Sequence, residues 1–172
     1  MLRIAFKFIT ITFFIISNSY SEIIKNVEIY GNQRIPETTI LTLGNINLNK
    51  EFSESELNIL TKKLFETNFF KDISLKISDQ TLEIRLIENP IIEDIQIIGI
   101  KKNNIKEILL EKITLKNRSS FTENILVNDV NLIKNILKSN GYYFVEVNTL
   151  VNKKEKTNSI QLVFNINQGT RA

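Results

Sequence analysis

The 172-residue chain carries 22 basic and 19 acidic side chains, is 42% hydrophobic, and contains neither cysteine nor histidine. Disulfide staples, Cys/His metal centres, Ser-His and Cys-His nucleophile pairs and imidazole acid–base chemistry are thereby excluded, and folding must rest on packing alone. Arg3 and Lys7 precede the first acid, Glu22, so beyond residue 21 the count is 20 basic to 19 acidic with the signs interspersed, which gives no electrostatic footprint for nucleic acid or an anionic membrane surface.

Arg3 and Lys7 are followed by an apolar run from Phe8 to Ile16 and then by Ser17-Asn18-Ser19-Tyr20-Ser21. The run is well short of the roughly 20 residues that cross a bilayer as a helix, and small Ser19 and Ser21 stand where a signal peptidase requires small side chains. Residues 1–21 therefore read as a secretory signal peptide cleaved after Ser21. An uncleaved anchor is the competing reading, and either one exports the remainder.

Ile23 to Tyr30, rich in β-branched residues, predicts a strand turned by Gly31-Asn32; Pro36 opens a short helix at its first position and Gly44 ends it. Ser53 with Glu56 three residues on is a capping box, and Leu57, Leu60, Leu64 and Phe65 follow at helical spacing to about Thr67, with Asn68 as a left-handed stop. Ile73, Leu75 and Ile77 alternate with polar residues, Ser78-Asp79-Gln80 breaks the run, and Leu82, Ile84 and Leu86 alternate again, which predicts a hairpin with one wet face.

The same order then returns. IIKNVEIYG at Ile23–Gly31 reappears as IIEDIQIIG at Ile91–Gly99, and Ile40-Leu41 as Ile108-Leu109, at one offset of 68 residues. A strand over Ile91–Ile98, a helix over Ile105–Ile113, a longer helix from about Thr122 to Asn140 closed by Gly141, and a hairpin of Val145–Val151 and Ile160–Ile166 across a polar Asn152–Asn158 loop complete the second copy. The offset grows from 69 to 73 across the long helix, an insertion close to one turn that keeps Leu126, Val130, Ile133 and Leu137 on one stripe. Self-similarity at a fixed long period marks tandem supersecondary units, here 22–89 and 90–169, of the kind used for binding. Strand, two helices and two strands imply an α+β layer in which a small sheet is covered on one face by a helix pair. Glu22, Glu28, Glu37, Glu83, Glu88, Glu93, Asp94 and Glu107 fall among apolar or basic neighbours as solvated-face residues do, so no catalytic carboxylate pair, and no enzyme, is expected. No cofactor is expected either.

At LFETNFFKDISL (Leu64–Leu75) and SNGYYFVEV (Ser139–Val147), a helix end, Asn or Gly, paired aromatics and a strand occur in an order that resembles POTRA domains. With VEIYGNQRI (Val27–Ile35), TLEIRLIENPIIEDI (Thr81–Ile95) and LVFNINQG (Leu162–Gly169), the chain beyond residue 21 is similar to the periplasmic arm of the BamA family of outer membrane protein assembly factors. The resemblance implies two tandem βααββ domains, each a three-stranded mixed sheet with its second strand at an edge. Such edges would receive unfolded outer-membrane β-barrel proteins by strand addition and dock assembly-complex lipoproteins, with no nucleic acid involved. The residues carried over are Ile73, Ser74, Leu75, Lys76 and Ile77 and, by position after the aromatic pair, Val145, Glu146, Val147, Asn148 and Thr149. Phe69-Phe70 and Tyr142-Tyr143 read as core and joint packing, and Glu88-Asn89-Pro90 as the hinge that sets the angle between units, since Pro restricts the residue before it. Family members continue into further units and a membrane barrel, absent from these 172 residues, so residues 170–172 read as the start of a next unit. The chain is expected to be part of a longer protein of the periplasm and outer membrane of a Gram-negative bacterium. A two-partner secretion transporter arm and a membrane-anchored envelope or division structural protein are the alternatives.

Overall fold

A computed structural model of the chain describes residues 21–171; the signal peptide reading lies outside the described residues except at Ser21. In the first unit, β1 (Glu22–Ile23) and β2 (Asn26–Tyr30) are separate strands rather than the single Ile23–Tyr30 strand expected. Ile24 is fully buried and its backbone turns aside to exchange hydrogen bonds with the 49–50 segment, donating to Lys50 O and accepting from Asn49 N. β1 therefore pairs with β3 (Glu51–Phe52) as a short antiparallel ribbon.

Between them, α1 (Glu37–Gly44) begins after Pro36, which stands at the N-cap and not at the first helical position. Asn45, with φ 51°, is the left-handed stop that had been expected of Gly44. Gly44 is buried inside the last turn, where a Cβ would meet the Leu60 side chain, so it is needed for close helix packing and not for a positive φ. α2 (Glu54–Glu66) carries the complete capping box: the Ser53 side chain accepts from Glu56 N and the Glu56 carboxylate accepts from Ser53 N at 2.9 Å. Asn68 follows in the left-handed conformation.

β4 (Phe70–Ser78) and β5 (Thr81–Glu88) form the hairpin, turned by Asp79 and Gln80 with φ of 51° and 62°, the two positive values a tight two-residue turn demands. Gln80 O accepts from Lys25 N and Asn26 N, which pins the turn to the start of β2. The sheet order is β2-β5-β4, with β2 parallel and β4 antiparallel to the central β5. Leu82, Ile84 and Leu86 of β5 face Ile40, Leu60 and Leu64 of the two helices in one buried cluster.

The second unit repeats this with β6 (Ile91–Ile98), α3 (Asn103–Lys112), α4 (Glu123–Ser139), β7 (Glu146–Lys154) and β8 (Ser159–Asn167), in sheet order β6-β8-β7. α4, at 17 residues against 13 in α2, holds the extra turn, and Ile133 and Leu137 are buried in a second cluster with Leu126 and Val130 beside them. Gly141 has φ 90°, as expected of a stop. β7 runs through Lys154 into a single 3-10 turn, Glu155–Thr157, so the first three residues of the segment predicted as loop are strand. Gly31 and Gly99 take matching places at φ of about +85°, where a Cβ would collide with the carbonyl oxygens of Leu86 and Ile166 in the central strands. The repeated glycine thus lets the end of each first strand cross closely over the central strand.

Candidate functional site

Each three-stranded sheet ends in a nine-residue strand, β4 or β7, that pairs on one side only, so each leaves a row of backbone donors and acceptors without a ladder partner. In β4 the Ile73 N–H is held by Asp72 Oδ1 at 3.0 Å rather than by the ladder. Residues of an antiparallel strand direct their backbone groups alternately inward and outward, so Leu75 and Ile77 direct theirs to the free edge with Ile73. Their side chains pack against the first core, while Ser74 and Lys76 lie on the solvent face.

The register corrects the correspondence drawn from the aromatic pairs. Ile73 stands opposite Leu86, the residue that meets Gly31; the residue opposite Ile166, which meets Gly99, is Val147 and not Val145. The counterpart of Ile73–Ile77 is therefore Val147–Val151, so Leu150 and Val151 join Val147, Asn148 and Thr149 at the edge. Val145, 8% exposed, is a core residue just before β7, and Glu146 is the strand's first residue. The slip arises because the aromatic pairs do not occupy equivalent places: Phe70 is already the first residue of β4, whereas Tyr142 and Tyr143 precede β7, which begins at Glu146. β4 also carries a bulge between Phe70 and Asp72, a feature with no sequence signature here. Phe69 and Phe70 pack edge to face at 6.3 Å in the first core, and Tyr142 packs on the second. Tyr143, read as packing, is exposed, as is Phe144 beside it.

Glu88, Asn89 and Pro90 lie in a buried knot. Glu88, assigned from sequence to a solvated face, is 5% exposed. Its Oε1 accepts from the N–H groups of Gln33, Arg34 and Ile35, each at 2.9 Å, and Oε2 lies 3.4 Å from Arg34 Nε. Arg34 Nη2 donates to Asn89 O, Asn89 Nδ2 donates to Asn68 O, and Asn158 Nδ2 reaches from the second unit to Glu88 O at 3.2 Å. Phe121 N donates to Pro90 O. Sequence reasoning missed Arg34 and Asn158, since no local pattern marks a contact across 55 or 70 residues. The joint is flanked by a cleft of about 720 Å³ with Phe65, Phe70 and Phe121 on its walls and Lys71 and Lys153 at its rim.

Among charged groups nearby, Glu93 is held below the usual carboxylate range by hydrogen bonds from Lys154 and from Ser159 Oγ, the latter at 2.6 Å. It ties the end of β7 to β6. Ser21 Oγ donates weakly to Glu51 Oε2 at 3.4 Å. Among the described residues no group of His, Cys, Asp and Glu is placed to hold a metal ion, and no helix is long and apolar enough to cross a membrane.

Two βααββ units in tandem, each with its second strand free, define a POTRA-type protein. Residues 90–169 match the POTRA family described as "Surface antigen variable number repeat" and belong to it. Both units share the fold of solved POTRA structures: the amino-terminal domain of Omp85 from Thermosynechococcus elongatus (TM-score 0.58, 14% identity, covering 89% of this chain and 65% of that one) and POTRA1-2 of Omp85 from Anabaena (TM-score 0.52, 13% identity, 90% and 99%). The curated relatives are outer membrane protein assembly factors BamA. That of Buchnera aphidicola is 31% identical over 74% of this chain and 24% of its own length, and that of Neisseria meningitidis is 23% identical over 87% and 19%. The chain thus spans about a quarter or less of the relatives it matches.

Proposed function

We propose that this chain is a non-enzymatic, periplasmic POTRA module in the assembly of β-barrel proteins into the outer membrane. It receives extended segments of unfolded barrel proteins as added strands along β4 or β7, and its surface docks partner lipoproteins. The observation that carries this reading is the pair of nine-residue strands, one per unit and alike in register, each with its outer backbone groups free of a ladder partner. Strand addition draws its affinity from backbone hydrogen bonds and only secondarily from alternating side chains, which suits a binder of many sequences. The kinship with BamA proteins supports the client class.

The test is an NMR titration of the ¹⁵N-labelled chain with a peptide copying one transmembrane strand of an outer-membrane barrel. Amide shifts concentrated in 70–78 or 146–154 are expected. A folded chain with no shift in either strand would overturn the reading.

A further inference from the structure

We infer that the two edges are not equivalent: β7 is the one that takes a segment with apolar side chains at alternate positions and an acidic residue at the end beside Lys153. The inference rests on the strand-addition reading and deepens it. Three differences between the units carry it.

The first is access to the backbone. In β4 the Asp72 carboxylate already holds the outward Ile73 N–H, whereas Glu146, which takes the place of Asp72 in β7, makes no such bond to Val147 among the described residues. The second is the solvent face of the sheet beside each edge. Next to β4, Lys76 aligns with Glu83 and Glu28, and Ser74 with Arg85 and Tyr30, so an incoming apolar side chain would meet charged rows. Next to β7, Leu150 aligns with Val163 and Gln96, and Asn148 with Asn165 and Ile98, rows that hold no charge. The third is exposed apolar surface at the edge itself. Leu150 is 55% exposed within β7, and Phe144, just ahead of the strand, is 76% exposed. Leu150 stands mid-strand and Phe144 in the turn that leads into it, so the two lie at the middle and the start of the edge.

A fourth strand laid along Glu146–Lys154 would set its outward side chains about 5 Å from those of β7. Apolar ones there would cover Leu150 and remove it from water. At the far end Lys153 has no ion-pair partner among the described residues, whereas its neighbour Lys154 is engaged by Glu93. Lys153 also lines the cleft between the units, with Lys71 and Glu123 on the same lining, so Lys153 is the cation that the end of the added strand would meet.

The probe is a nine-residue peptide alternating Val or Leu with Thr or Gln and closing on Asp, titrated into the labelled chain and into two variants at solvent-facing positions, Leu150→Asn and Lys76→Asn. Shifts within Glu146–Lys154 are expected, with affinity about tenfold weaker for Leu150→Asn and unchanged for Lys76→Asn. Shifts confined to Phe70–Ser78, or an affinity insensitive to Leu150→Asn, would overturn the inference and leave strand addition standing. Silence at both edges of a folded chain would overturn the two together.

Discussion

At Glu88 one carboxylate collects three backbone N–H groups and a guanidinium, while at Gln168, its counterpart after the second glycine crossing, the amide accepts from Lys101 N alone at 3.3 Å. Gln168 Nε2 is buried without an acceptor. An amide oxygen is a weaker acceptor than a carboxylate, and a buried donor left unmade carries its full desolvation cost. Glu88→Gln should therefore destabilise the first unit by about 2 kcal/mol, and Gln168→Glu, which buries a charge with only the 3.3 Å bond from Lys101 N to meet it, should destabilise the second by about as much. Urea unfolding followed at amides of each unit separately would measure both, and a gain on Gln168→Glu would show that the second site can gather donors as the first does. The sequence marks both residues only as polar positions after an alternating strand. Nothing local in it reveals that the loop after each repeated glycine folds back onto them.

Among the elements, α2 shows how far local pattern carries. Ser53 and Glu56 announce its start, and both halves of the capping box form. The Ser53 backbone N–H, with Lys50 behind it, holds the Glu56 carboxyl below its ordinary value of 4.5. A carboxyl lowered in the folded state contributes stability that is complete above its unfolded value and is lost as pH falls through the lowered one. The chain should therefore lose stability as pH falls below 4.5, and Glu56→Gln should flatten that slope in urea midpoints taken across the acid range, because a neutral side chain there has no proton to gain. An unchanged slope would assign the acid sensitivity to Glu93 and its bonds from Lys154 and Ser159. Helix caps, amphipathic stripes and the αL stops at Asn68 and Gly141 were legible because each depends on residues within a turn of one another. The bulge in β4, the split of the first strand at Ile24 and the burial of Gly44 against Leu60 were not, because each answers to a partner far along the chain.

Across the whole molecule, two separate cores meet at a joint made of polar contacts. Asn158 supplies the side-chain bond from the second unit to the linker, and at φ 43° it also sits where glycine is tolerated. Asn158→Gly should keep both units folded while letting them reorient, seen as unequal alignment tensors for the two units in residual dipolar couplings where the parent chain gives one. A single tensor in the variant would assign the stiffness to Arg34, Glu88 and Asn89 instead. The tandem repeat was readable from sequence, since a fixed period exposes architecture without any long-range contact, and the second strand as an edge was implied by the resemblance to POTRA domains. Which of the two edges is open and apolar was not, because it depends on which side chains neighbouring strands align.

In both sheets the central strand, β5 or β8, is the last of its unit to be made. A chain emerging amino terminus first therefore holds its flanking strands and both helices without a sheet until that final segment arrives, and then closes the unit in one step. Synthesis order alone keeps each half of this protein an open, chaperone-accessible chain until its last nine or so residues appear, so the first unit can be complete while the second is still unable to fold.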